Sequence, residues 1–237
     1  MTNWEADQIH ALGAVGSEHA LFEIVISLAR GLGFDHCCYG LRMPLPLTQP
    51  KTVIFNNYPS GWQEQYQEKN YLAVDPTVLH GMRSLLPVLW SDTLFAPAQD
   101  LWEEARSYGL QIGWVQACRD VNGVGGLLTL ARSREPISAA ELQDKEVKMK
   151  SLSQAVHMGM SRLLTSKMLP ESRVQLSFRE VEVLQWTGDG KTSAEVSDIL
   201  NISARTVNFH ISNAMSKLNA ANKAAAVVRA AMLGMLQ

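Results

Sequence analysis

Apolar residues along the chain follow two different rhythms, and the change between them divides it. Residues 8 to 32 carry Ile9, Leu12, Leu21, Phe22, Val25, Ile26 and Leu28 at the three-and-four spacing of a helix with one buried face. The stretch FDHCCYGLRM that follows reads as a strand. KTVIFNNYP reads as another, beyond the proline-rich loop MPLPLTQPK. WQEQYQEKNY returns to helical spacing, and Asp75-Pro76 opens a further short helix. GWVQACRD and GGLLTLARS predict two more strands, separated by the turn DVNGVGG. SAAELQDKEVKMKSLSQAVHMGMSRLL predicts a long amphipathic helix, capped by Ser138 with Glu141 at its third position. Residues 1–165 are therefore expected to form an α+β domain, an antiparallel sheet flanked by helices in an α/β/α sandwich.

Residues 166–175, SKMLPESRVQ, break this pattern and read as a linker. Residues 176–237 are expected to be all-α, four helices containing a helix-turn-helix. Ser177 and Glu180 form a capping box inside a Leu176–Val181 hydrophobic staple, and the helix should stop at Gly188 or Gly190. Thr192 and Glu195 form a second box, on a helix that points Val196, Ile199 and Leu200 inward. A turn at Asn201-Ile202 leads to Ser203, which caps a third helix. The fourth, roughly 221 to 234, should bury Val227, Val228, Met232 and Leu233.

The third helix has two faces. Val207, Ile211, Met215 and Leu218 line one; Arg205, Asn208, Ser212 and Ser216 line the other. Taken alone, the polar face is that of any solvated helix. Behind a short capped helix and a tight turn, it has the layout of a helix that reads base edges in a major groove. Charge agrees in direction. From Gln175 onward six basic residues face five acidic ones, whereas the whole chain carries a net −2. The expected DNA-contacting set is Lys191, Arg205, Thr206, Asn208, Ser212 and Lys217.

With 46% hydrophobic residues the chain can bury a sizeable core, and no apolar run reaches the ~18 residues of a membrane span. Cys37, Cys38 and Cys118 make no disulfide framework, which suits a reducing cytoplasmic compartment. His10, His19 and His36 show no metal-ligand spacing, and Met149, Met158, Met160 and Met168 read as packing for the long helix.

In the front half, NYPSGWQEQYQEKNYLAVDP concentrates Tyr58, Trp62, Tyr66, Tyr71 and Asp75. Such a cluster is compatible with plain core. It equally describes a ligand pocket, because indole and phenol ends need partners when buried and a buried carboxylate needs donors. Cys38 has the same two readings, a core thiol or a pocket wall beside Gly40 and Arg42.

LSFREVEVLQWTGDGKTSAEVSDILNISARTVNFHISNAMSKLN resembles the DNA-binding domain of LuxR-type transcription factors, with Ser177, Val196 and Ser197 as mild variants. The front half resembles the acyl-homoserine-lactone-binding domain of the same quorum-sensing family. It carries the pattern as Tyr58-Pro59, Trp62, Tyr66 and Val74-Asp75-Pro76, then Trp90, Gly113 and Thr129. The resemblance implies that Asp75 accepts the ligand's amide N–H and that Trp62 donates to the lactone carbonyl. It implies that Tyr58 and Thr129 hold the amide carbonyl, while Tyr66, Trp90, Trp102 and Leu110 wall the site and Cys38 lines the acyl chain. The partners implied are the autoinducer, promoter DNA, a second copy of the chain and RNA polymerase, with no cofactor and no metal.

Two other classes remain as alternatives. One is a ligand-independent family member acting through heterodimers. The other is a hydrolase of lactones or acyl amides, suggested by Asp75 near His80 and opposed by the lack of a nucleophile elbow or metal motif.

Overall fold

A computed structural model describes residues 12–236. The expected contribution of Ile9 and the position of His10 lie outside them. The chain folds as two compact units. The first takes the chain up to Arg42, then Thr52–Asp120 and Gly125–Leu164; the second takes the loops Met43–Lys51 and Val121–Val124 with everything from Thr165 onward.

The first unit is built on a five-stranded antiparallel sheet of order β2-β1-β5-β4-β3. Its strands are β1 (His36–Arg42), β2 (Thr52–Asn56), β3 (Val88–Leu89), β4 (Ile112–Arg119) and β5 (Gly125–Arg132). Successive side chains point to opposite faces. Cys37, Tyr39 and Leu41 therefore share one face with Leu130 and Leu128, while Cys38 and Gly40 share the other with Thr129 and Leu127.

The Tyr39 face is covered by α1 (Glu18–Gly31) and α6 (Ala139–Met168). From α1, Phe22 packs on Phe55. The docking of α6 is partly polar: Ser153 meets Cys118 at 3.2 Å and His157 shares a 2.9 Å hydrogen bond with Tyr39. One turn further on, Ser161 donates to Asp120 at 2.5 Å. Met149 and Met160 pack as expected, but Met158 is 64% exposed, because it stands on the side of α6 away from the sheet.

The start of α6 departs from a full capping box. Ser138 accepts from the Glu141 amide at 3.1 Å, but the Glu141 carboxylate turns away to the buried Arg132 guanidinium, at 2.9 and 2.7 Å, and to Lys145 at 2.8 Å. A bidentate charged partner outweighs a backbone N–H that the first turn can leave to solvent.

The opposite face of the sheet is covered by α2 (Ser60–Glu68), α3 (Pro76–Arg83), α4 (Asp92–Phe95) and α5 (Gln99–Ser107). Asp75 caps α3 through the Thr77 amide. Gly81 lets α3 lie against the sheet, since a Cβ there would meet Leu127 at 2.7 Å. Helices on both faces of the sheet make the expected α/β/α sandwich.

The second unit is helical: α7 (Phe178–Gly188), α8 (Ser193–Leu200), α9 (Ala204–Lys217) and α10 (Lys223–Met232). The segment expected as a linker is α-helical through Met168 and forms a 3-10 turn over Pro170–Arg173. Both capping boxes are formed, and Asn201 makes the turn into α9 in the left-handed region, at φ 52°. Val183, Val196, Val207 and Ile211 make the core.

Three inward assignments fail. Ile199 is 44% exposed, leaving Val196 and Leu200 to face the core. On α10, Leu233 is buried as expected, but Val228 and Met232 are exposed at 40% and 37%, and Ala226 and Ala230 are buried instead. Small residues permit the closer helix approach, so the larger side chains sit outside it.

Glu141 links stability to acid. The Arg132 guanidinium, with help from Lys145, holds its carboxyl down at about 2, against ~4.3 for an unpaired glutamate. A depressed value means that the contribution is complete above ~4.3 and is lost as pH falls through about 2. Urea titrations over that range should show wild type losing its advantage over Glu141→Gln. Parallel loss in the two proteins would contradict the coupling.

Candidate functional site

The Cys38 face of the sheet and the helices over it enclose a cluster of aromatic and polar groups. Asp75, held at the N-terminus of α3, accepts from Thr77 Oγ1 at 2.7 Å and the Thr77 amide at 2.8 Å through Oδ1. Its Oδ2 accepts from Tyr66 Oη at 2.9 Å. Burial pushes the Asp75 carboxyl above its ordinary value, against the pull of these donors. Burial, then the fields of nearby thiols and Asp75, push the Tyr58 phenol up as well. The Cys38 thiol is raised in the same way. Cys38, Tyr58, Tyr66 and Asp75 lie deep in the unit, yet each keeps part of its surface accessible. Cys37, by contrast, is fully buried on the other face, its thiol pushed up to about 12.

Thr129 stands directly opposite Cys38 in the β1–β5 ladder and is buried. Its hydroxyl, the Tyr58 hydroxyl and the Trp62 indole N–H make no hydrogen bond among the described residues. None of these three atoms is sealed from solvent, whereas the Trp90 indole N–H beside them is buried without a partner; a donor sealed in that way costs about 1–3 kcal/mol. The three accessible donors come from different elements and have hydrogen-bonding capacity to spare.

Aromatic rings wall this place. Trp62, Trp102 and Leu110 are buried in one cluster, and Tyr58, Tyr66 and Trp90 pack against it. Trp90 stands edge-on to Trp102 and Phe95, and Phe95 stacks on Trp102 at 4.5 Å. The Trp102 indole is already engaged, donating to Asp92 at 2.7 Å, so its part is as a wall. Beyond Cys38, a Cβ on Gly40 would meet nothing within 4 Å, so space continues along β1 in the direction of Arg42.

The cluster thus gathers all nine residues expected at the ligand site. Among the members not assigned there in advance are three aromatic ones. Tyr71 stacks on Trp62, Phe95 joins the two tryptophans, and Tyr108 packs beside them. Tyr71 lies within the quoted aromatic run and was available as a signal. Phe95 and Tyr108 carried none, because their helices had not been placed over the sheet. His80 donates from Nε2 to the Leu86 carbonyl at 2.8 Å and has no part in the cluster's hydrogen bonds.

On α9, Arg205, Asn208, Ser212 and Ser216 are exposed, opposite the buried Val207, Ile211 and Leu218. Asn208 is partly committed, accepting at Oδ1 from Ser193 at 2.8 Å. Thr206 hydrogen bonds with Ser203 at 2.8 Å, and Lys191 is half-buried. Lys217 is already engaged within the unit. Its ammonium is bound to the buried Glu180 carboxylate at 2.8 Å and the Gln175 carbonyl at 3.2 Å, so it anchors α9 to α7. A charge-assisted bond to a buried carboxylate outweighs free solvation of the lysine.

Comparison with known proteins identifies both units. Residues 17–160 match the autoinducer binding domain, and residues 174–230 match the family described as bacterial regulatory proteins, luxR family. The chain belongs to the luxR family. Transcriptional activator protein AnoR of Acinetobacter nosocomialis is 46% identical over 238 residues, covering 100% of each chain. The crystal structure of Escherichia coli SdiA aligns with a TM-score of 0.85 at 36% identity, covering 99% of this chain and 98% of that one. CepR2 from Burkholderia cenocepacia, an N-acylhomoserine lactone dependent LuxR family transcription factor, aligns with a TM-score of 0.62 at 30% identity. That match covers 69% of this chain and 98% of that one. This luxR-family protein is therefore a DNA-binding transcriptional regulator with an autoinducer domain, and the relatives named are regulators, not enzymes. No helix among the described residues is long and apolar enough to cross a membrane.

The tryptophan wall depends on Gly113. A Cβ there would stand 2.3 Å from the Trp90 ring, which is pinned by its own backbone bond to the Gly113 carbonyl at 2.8 Å. Gly113→Ala should cost about 1–3 kcal/mol, seen as a lower melting temperature. Gly40→Ala, with open space around it, should not lower it. Equal effects from the two substitutions would refute the packing argument.

Proposed function

We propose that this luxR-family regulator binds an N-acyl-homoserine lactone in the hollow between the Cys38 face of the sheet and helices α2 to α5. The observation that carries this is the set of unmatched donors, Tyr58, Trp62 and Thr129, beside a carboxylate with acceptor capacity, Asp75. An acyl homoserine lactone offers one amide N–H, two carbonyls and an apolar tail. In this reading Asp75 accepts the amide N–H and Trp62 donates to the lactone carbonyl. Tyr58 and Thr129 hold the amide carbonyl, and the tail runs past Cys38 toward Gly40. Tyr66, Trp90, Trp102 and Leu110 exclude water around the ring.

Residues 1–165 serve as the ligand and dimerisation domain, 166–175 as the join and 176–237 as the DNA-binding domain. Val147 and Met158, 72% and 64% exposed and three turns apart on α6, supply apolar surface for a homodimer. Two copies then place two α9 helices on the half-sites of a palindromic promoter, each through Arg205, Asn208 and Ser212 with Lys191 and Thr206 nearby. RNA polymerase is the partner such a promoter-bound dimer would address.

Ligand occupancy stabilises the folded form in proportion to the logarithm of ligand concentration over Kd. Expression with a panel of acyl homoserine lactones of increasing tail length should raise soluble yield and melting temperature for at least one member. Asp75→Asn keeps an oxygen to cap α3 but replaces the second acceptor with a donor. It should weaken binding by ~10- to 100-fold, the worth of one charge-assisted hydrogen bond. If no lactone stabilises the protein while a monoacylglycerol of equal tail length does, the ligand class is wrong. In a separate measurement, Val147→Asp with Met158→Asp should yield monomers in sedimentation of the ligand-bound protein.

A further inference from the structure

We infer that Phe209 reads the 5-methyl group of a thymine, adding an apolar contact to the polar readout by α9. The inference rests on α9 as the groove-reading helix and goes beyond that assignment by naming the base.

Phe209 follows Arg205 by four residues and precedes Ser212 by three and Ser216 by seven, so these four share one face of α9. That face lies opposite the buried Val207, Ile211 and Leu218. Phe209 is 60% exposed near its centre, touched edge-on by the neighbouring His210 ring at 5.7 Å. Asn208, by comparison, turns aside toward Ser193 of α8. The aromatic is thus more squarely presented than the amide.

The surroundings fit nucleic acid better than a protein partner. After Asp198 the remaining 39 residues contain no acidic side chain and four basic ones, Arg205, Lys217, Lys223 and Arg229, of which Lys217 is paired with Glu180 and Arg229 with Glu171. An anion can approach this face without meeting a carboxylate from α9 or α10. Within the major groove, the thymine methyl is the feature that an apolar side chain can recognise, and it distinguishes A·T from G·C pairs.

The test uses full-length protein expressed with whichever lactone of the panel stabilises it. A randomised duplex library is selected for binding. The enriched sites are then remade with deoxyuridine in place of thymidine, which removes only the methyl groups. Wild type should lose about fourfold in affinity for each methyl contacted. Phe209→Ala should bind the thymidine sites more weakly and lose its sensitivity to deoxyuridine, whereas Phe209→Leu should keep part of it. Phe178→Ala, which removes a 78% exposed phenylalanine at the start of α7, should behave as wild type. The inference is overturned if wild type is indifferent to deoxyuridine, or if Phe209→Ala keeps the full wild-type sensitivity. Failure to enrich any sequence would remove the groove-reading role of α9 itself, and Phe209's role with it.

Discussion

A polar group taken out of water must find a partner, and that constraint organises the front unit. Asp75 finds Tyr66 and Thr77. Tyr58, Trp62 and Thr129 make no hydrogen bond among the described residues, although they come from different elements, and their polar atoms are not sealed from solvent. An ordinary core would have closed over apolar side chains or supplied the missing acceptors. Here the sheet and helices hold three donors that none of the described residues engages.

The second unit solves a different problem with similar economy. Its core is small, and its helices are fixed at their ends by two capping boxes and by Lys217 against the buried Glu180. Spending one cation internally leaves Arg205 as the principal charge on the outward face of α9. Sequence-specific reading by such a face depends more on the shapes and polarity of its side chains than on bulk charge.

Much of this was legible beforehand, because most elements announce themselves locally. Ser177 with Glu180, Thr192 with Glu195, and Asp75 before Pro76 are short-range signals, and short-range chemistry decides them. The residues of the aromatic cluster were legible through the density of polar-ended aromatics near Asp75. What could not be read depends on contacts between distant segments. Glu141 forms a cap from its neighbours' point of view, yet Arg132 of β5 claims its carboxylate. Lys217 looks like a free cation until Glu180 is placed beneath it. Val228 and Met232 look like core until the close approach of α10 through Ala226 and Ala230 excludes them. In each case hydropathy or charge was read correctly and its spatial partner was missing.

The mixed docking of α6 has a mechanical result. Ser153, His157 and Ser161 meet Cys118, Tyr39 and Asp120 one turn apart, each at a defined position on the sheet. Grease tolerates slippage, whereas a row of matched donors and acceptors does not. A shift by one residue would misalign the whole row at once. The back of the sheet is accordingly locked in register with α6, whereas the helices on the opposite side are held by stacked rings together with bonds such as Tyr66 to Asp75 and Trp102 to Asp92.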